Sequence, residues 1–479
     1  MKNHKWIQFI MKHSRRIISF TLVFALLLSL NNISTIQTLI SRLLDTEPSD
    51  QATTAPTITD APTQATTSPT VDDVPEHTTQ TTQPEETLSP EEELELTLTY
   101  LTKEIQKDST KVELFTQRAA VYYHLGQMDE AIADYTTALS LEEDPLTHYY
   151  RAIVYTTAGH TADAYLDLSA ALLAEPDNQD YLSLMSDTCN ALERYDEALV
   201  CLEKLLINDP ENCVLHTLAA DACVYLSNYE AAAPHYQQAI ACYSEEVAES
   251  GISESSLYSA YANTLKTLGL FADAAEAYSL SLELTDTKEL YFQRGFCLLQ
   301  AGNYTDAIAD FTKCIELDYE TAYAHFQRAL CYCATDNYHA AIEDFIVYET
   351  AFPEKTDSFL YMGLCYQNVG YYYSAANYYY KCIQANISPS SCYFNMGNCY
   401  YNVEAYSDAI WAYTYAIQYG DYLYESLLNR GICYIQLNQY NEAKADLKRV
   451  INECYDYDLV KKATASYEPI KNITIITKG

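Results

Sequence analysis

KELYFQRGFCLLQAGNYTDAIADFTKCIELDYE, residues 288–320, is the stretch whose reading decides the fold. Its apolar residues fall at helical spacing in each half. Ala307, near its centre, is one of ten alanines that return in the same local setting: Ala131, Ala164, Ala198, Ala232, Ala274, Ala307, Ala341, Ala375, Ala409 and Ala443. The gaps between them are 33, 34, 34, 42, 33, 34, 34, 34 and 34 residues. A fixed period of this length marks stacked supersecondary units. Ten units run from Val112 to about Asp456.

With Lys288 as position 1, Tyr291 stands at position 4, Gly295 at 8, Leu298 at 11, Gly302 at 15, Tyr304 at 17, Ala307 at 20, Phe311 at 24 and Cys314 at 27. In these places the unit resembles the tetratricopeptide repeat, a pair of antiparallel helices. Small residues at 8, 20 and 27 let the helices approach, and large ones at 4, 11, 17 and 24 fill the space around them. The resemblance implies an all-α, right-handed superhelical solenoid of about ten helix pairs, each touching only its neighbours.

The net charge of −38 argues against nucleic acid, which requires a basic surface. It reads first as a solvated, aggregation-resistant surface, and alternatively as a field that steers basic partners.

Residues outside the repeats are of a different kind. Residues 1–16 form a basic, cytoplasmic tail carrying Lys2, Lys5, Lys12, Arg15 and Arg16. The apolar run IISFTLVFALLLSL opens a transmembrane signal anchor over 17–40, with a cleaved signal peptide as the alternative. The basic cluster before the span keeps the N-terminus inside, so the expected location is the cell membrane, single-pass, with the repeats extracytoplasmic. Residues 41–88 read as a disordered Thr/Pro-rich acidic stalk, since 46–90 hold 14 threonines, seven prolines and eight acids without a lysine or arginine. Ser89-Pro90-Glu91-Glu92 has the form of a capping box that opens an N-terminal capping helix over 89–111. At the other end, 457–479 supplies a C-terminal capping helix and tail around Tyr457–Tyr467. The surplus in the gap of 42 falls around Glu245–Glu254, lengthening the second helix of repeat four or its exit loop.

Position 7 is arginine in five repeats (Arg118, Arg151, Arg294, Arg328, Arg430), and position 23 is aspartate in the same five (Asp134, Asp167, Asp310, Asp344, Asp446). Elsewhere position 7 holds Met185, Ala219, Tyr261, Met362 and Met396. The joint choice predicts structural ion pairs within or between repeats. No catalytic residue is expected, because a repeated Arg–Asp pair offers neither nucleophile nor pocket, and HExxH, GxSxG, P-loop and calcium-loop patterns are missing. The chain therefore reads as a non-enzyme without metal or cofactor.

Fifteen cysteines include a ladder at position 10: Cys297, Cys331, Cys365, Cys399 and Cys433. Helices pack about 8–10 Å apart, too far for rung-to-rung disulfides, so most read as small core residues. Cys297 with Cys314, and Cys365 with Cys382, are the disulfide candidates, each within one repeat.

By resemblance, first helices line a concave face and hold ligands against positions 2, 5, 9, 12 and 13. Phe292, Phe296, Leu299, Phe326, Leu330, Leu360, Leu364, Phe394, Asn398, Tyr401, Leu428 and Ile432 occupy such places, joined by Ile435. They either form an apolar binding face or pack against neighbouring first helices. A carboxylate clamp of the chaperone-tail kind is disfavoured: position 5 is never lysine, and Asn263, Asn398 and Lys266 lack the rest of the basic set. The expected function is a membrane-tethered scaffold for other proteins or peptides, with an assembly or secretion factor that presents substrates to a separate machine as the alternative.

Overall fold

The computed structural model describes residues 89–473, and all regular structure among them is helical. The basic tail 1–16, the signal anchor 17–40, the stalk 41–88 and the last residues 474–479 lie outside the described residues. No described helix is long and apolar enough to cross a membrane. Although the period predicts one uninterrupted stack, the chain divides into two compact units, which part between Pro176 and Asp177.

The first unit begins with helix Pro90–Lys107. Ser89 and Glu92 close a capping box at its start: the Ser89 amide donates to Glu92 Oε2 at 2.8 Å, and the Glu92 amide returns to Ser89 Oγ at 3.3 Å. Leu101 and Ile105 are its buried residues, and Ile105 packs with Phe115 and Ala138 of the first repeat. Repeat one pairs Val112–His124 with Met128–Leu141, and repeat two pairs Pro145–Ala158 with Thr161–Ala174.

The second unit holds repeats three to ten. The pairs are Gln179–Ala191 with Tyr195–Asn208, Cys213–Tyr225 with Tyr229–Ala241, and Glu254–Thr267 with Phe271–Leu284. Lys288–Gln300 with Tyr304–Glu316 and Thr321–Ala334 with Tyr338–Ala351 follow. Phe359–Asn368 with Tyr372–Gln384, Pro389–Asn402 with Tyr406–Tyr419, and Leu423–Gln436 with Tyr440–Glu453 complete the set. Helix Tyr457–Tyr467 then covers the end of repeat ten, burying Ala463, while Ile470 just beyond it packs among Leu427, Leu447 and Val450.

One local device makes every pair antiparallel. Position 15 takes a left-handed conformation in all ten repeats, with φ from +56° to +83°. Five of these residues are glycine; Glu193, Ser227, Asp336, Glu404 and Asn438 bear a side chain there. The next amide reaches back five residues, as from Asn303 to the Leu298 carbonyl at 2.8 Å, which satisfies carbonyls that the helix end would leave open.

The helices can then meet closely only where side chains are small. All ten period alanines are 0% exposed. A Cβ built on Gly397 would fall 2.6 Å from Tyr413 Cε1, and one on Gly363 would fall 2.8 Å from Tyr379 Cε1. In repeats eight and nine the ring at position 24 thus lies against the backbone at position 8, where a methyl group has no room.

The insertion after repeat four lengthens the exit connection and not the second helix, which ends at Ala241; within that connection it folds into a separate short helix, Glu245–Glu249. Ile252, just after that helix, is buried beside Cys213, Ala239 and Leu257. The apolar residue inside the insert drives it back onto the core.

Candidate partner-binding face

Burial and ring geometry divide the apolar residues of the first helices into two groups. Phe292 meets Phe311 edge-on at 5.8 Å and Tyr319 at 6.1 Å. Phe326 lies 4.6 Å from Tyr348 and 5.7 Å from Phe345, and Phe394 stacks on Tyr422 at 4.8 Å. These rings wedge the first helix against the second of the same repeat, and Phe394 reaches the start of the next. Phe296, Leu299, Leu330, Leu360 and Ile435 are half-buried against the same kind of cluster, and Leu428 is buried at 4% exposure. Packing of this kind, mainly against the second helix of the same repeat, already engages most of these positions. Leu364 and Tyr401 remain exposed, at 39% and 37%.

Asn398 is likewise engaged. Its Oδ1 accepts from Tyr413 Oη at 2.7 Å and Asn429 Nδ2 at 3.1 Å. The same link recurs as Tyr278 to Asn263 and as Tyr236 to Asp221, both from position 24 to position 9. Sequence reading missed this pairing, whose signal is a polar residue standing 15 places before a tyrosine. Lys266 is held by Gln293 Oε1 at 2.6 Å and Asn263 Oδ1 at 3.2 Å, so it is committed within the fold.

Phe394, Leu428 and Ile432 do come together. With Leu459 of the closing helix they line a groove of about 480 Å³, to which Glu425 and Lys462 also contribute. An apolar lining joined by one acid and one base suits a peptide segment with apolar anchors. A further surface escaped sequence reading: Tyr393, Trp411, Tyr415 and Tyr419 form an aromatic cluster with ring centroids 5.1–5.9 Å apart. Trp411 is 43% exposed and Tyr419 54%.

All five Arg–Asp pairs are present. Each guanidinium meets its aspartate in a two-point grip, as in Arg294 Nε to Asp310 Oδ2 at 2.8 Å and Nη2 to Oδ1 at 2.6 Å. The remaining nitrogen donates to a hydroxyl on the preceding helix: Arg118 to Thr102, Arg151 to Thr136, Arg294 to Ser279, Arg328 to Thr312 and Arg430 to Thr414. Each arginine therefore ties its own repeat to the one before, or, for Arg118, to the opening helix Pro90–Lys107. His148 and His325 add another contact to Asp167 and Asp344, at 2.8 and 2.6 Å. Burial pushes the Asp310 carboxyl up, against the Arg294 hydrogen bonds that pull it down; those same bonds hold the Arg294 proton more firmly. The pair is thus close-fitting but costly to desolvate.

Repeat four replaces the ion pair by two imidazoles. His216 Nε2 donates to the Pro210 carbonyl at 3.0 Å, which leaves its Nδ1 to accept from His235 Nδ1, 3.1 Å away. Burial and the neighbouring imidazole push His235 down, and Glu203 offsets them only in part.

All fifteen cysteines are free thiols. Their contacts correct the candidates drawn from sequence, because the thiols that meet belong to different repeats. Cys365 Sγ lies 3.2 Å from Cys333 Sγ of repeat seven, and Cys382 hydrogen-bonds to Cys392 of repeat nine. Among the described residues no cluster could hold a metal ion.

Family models described as tetratricopeptide repeat match residues 112–145, 288–320 and 425–455. No curated protein matches the chain. Among solved structures, a tetratricopeptide repeat protein from Parabacteroides merdae is similar at 22% identity and TM-score 0.31, over 50% of this chain and 92% of that one. Yeast Tom70 is similar at 14% identity and TM-score 0.29, over 75% of this chain and 95% of that one. A structure of Naa15/Naa10 bound to HypK-THB is similar at 12% identity and TM-score 0.41, over 78% of this chain and 63% of that one.

Two outcomes follow from the seam chemistry. Asp310→Ala leaves the Arg294 guanidinium half-buried and unpaired, so it should cost ~3–5 kcal/mol in urea unfolding, whereas Asp310→Ala with Arg294→Met should cost clearly less. Equal losses would remove the pairing account. Folded His235 binds its proton less readily than the unfolded chain does. The stability it contributes is therefore present above the ordinary imidazole value of about 6.5 and lost as pH falls through it. Unfolding midpoints followed from about pH 7.5 to pH 5 should fall less steeply in His235→Leu than in the parent chain.

Proposed function

Because the chain is a tetratricopeptide-repeat protein, an architecture that serves protein–protein interaction, we propose that it is a scaffold that holds partner polypeptides on its first-helix face. The groove at repeat ten is the seat, and residues 17–40 tether the protein in the cell membrane with the repeats outside. One observation carries the reading of the seat: Phe394, Leu428 and Ile432, from two successive repeats, converge with Leu459 on a single groove. Apart from the exposed Leu364 and Tyr401, the remaining apolar positions of that face are engaged in packing. Partner affinity then rests on a few anchors in one place rather than on a long stripe. The tether rests on the apolar run from Ile17 and the lysines and arginines before it.

Ala465 lines the groove and is exposed, so Ala465→Trp fills it without entering the core. On intact cells, a photoreactive residue at Lys462 should give a discrete polypeptide adduct. Ala465→Trp should lower its yield about tenfold while leaving the unfolding midpoint unchanged, as expected for loss of an anchor contact. Adducts that survive the substitution, or that arise from position 411 instead, would move the seat elsewhere. Deleting 1–40 should release the repeats from the membrane fraction, and external protease should digest them in the full chain.

A further inference from the structure

We propose that Cys333 and Cys365 form a reactive dithiol, which a low-molecular-weight disulfide oxidises to a covalent staple between repeats seven and eight. Their sulfurs are 3.2 Å apart, close enough that a small side-chain adjustment reaches bonding distance. The two residues play unequal parts. Cys333, at repeat position 12 in helix Thr321–Ala334, is half-buried and not sealed from solvent; Cys365, at repeat position 10 in helix Phe359–Asn368, is buried at 0% exposure. The two sulfurs share one S–H hydrogen bond; with Cys365 as its donor, that bond lowers the Cys333 thiol and favours its thiolate. Burial instead pushes Cys331 and Cys399 up to about 12. The comparable pair, Cys382 with Cys392, has both residues at 0% exposure, out of reach of an oxidant in solution.

The place of the pair gives the bond a purpose. Repeat eight has Met362 at position 7, so the arginine tie to the preceding repeat is missing at this seam. Its first helix is also the shortest of the repeats, 10 residues against 14 in the first helices of repeats seven and nine, because it starts only at Phe359 after the connector from Phe352 to Ser358. Glu349 accepts from Ser358 and Tyr378 there, but no hydrogen bond of that network joins the two first helices directly. A disulfide would join them.

The chemistry balances as thiol–disulfide exchange. The Cys333 thiolate attacks one sulfur of the oxidant RSSR, forming a mixed disulfide and releasing RS⁻. Cys365 then loses its proton to that thiolate and attacks the Cys333 sulfur, expelling the second RS⁻, which is protonated by solvent. Two protein thiols are oxidised and one RSSR is reduced to two RSH.

The test uses the purified full chain, fully reduced and then equilibrated with oxidised and reduced glutathione. The expected product has lost two hydrogens, about 2 Da, and its non-reducing digest contains one crosslinked peptide joining Cys333 to Cys365. Cys365→Ser should stop the reaction at a stable glutathione adduct on Cys333. Cys333→Ser should leave Cys365 unmodified. Hydrogen exchange over 359–368 should slow about tenfold on oxidation and recover on reduction. A crosslink mapped to another pair, a persistent glutathione adduct on the parent chain, or no loss of hydrogens would each overturn the proposal.

Discussion

Ten alanines set the distance between the two helices of every repeat, and the rest of the structure depends on that distance. With position 20 sealed and position 8 small, the side chain at position 24 meets the facing helix almost at its backbone. Tyr278, Phe311, Phe345, Tyr379 and Tyr413 are fully buried there, so the bulk removed at one position is returned at another. The left-handed turn at position 15 makes this possible, since it brings the chain back antiparallel within a few residues. A side chain there is tolerated at a strain of roughly 1–2 kcal/mol, which five repeats accept.

Stacking of one repeat on the next is solved by two chemistries. In one, an arginine holds the aspartate of its own repeat and a hydroxyl of the preceding helix, so a single side chain closes both the pair and the seam. In the other, Met362 or Met396 fills the same place with thioether bulk, and no buried charge needs a partner. The polar solution gives register, because a planar guanidinium accepts few geometries. The apolar one asks less of its neighbours. Repeat eight uses the second kind, and there the Cys333–Cys365 contact crosses the seam.

The helix pairs and their Arg–Asp partners were legible in sequence for one reason: both members of each pair lie in one repeat at a constant offset. The hydroxyls at Thr102, Thr136, Ser279, Thr312 and Thr414 were equally regular, yet they belong to the preceding helix, and only contact between helices gives them a meaning. The apolar first-helix face was half legible. Phe292, Phe326 and Phe394 are of a type and spacing that serve docking and packing equally well, and residue type cannot choose between the two. Tyr348 and Tyr422, which cover Phe326 and Phe394, made that choice. The insert after repeat four was seen as a surplus, but its burial of Ile252 was not.

By itself, then, the sequence determined the repeating helix pair, its turn, its small-residue contacts and the pairing of position 7 with position 23. Each of these is short-range and is repeated ten or five times, so periodicity reports it directly. Tertiary structure alone decided which apolar side chains stay open to a partner, which thiols touch, and that a groove forms where Tyr457–Tyr467 closes repeat ten. The physical reason is that exposure and contact are properties of a residue's neighbours. Those neighbours come from the adjoining repeat or the closing helix, whose side chains differ from copy to copy even where the period does not.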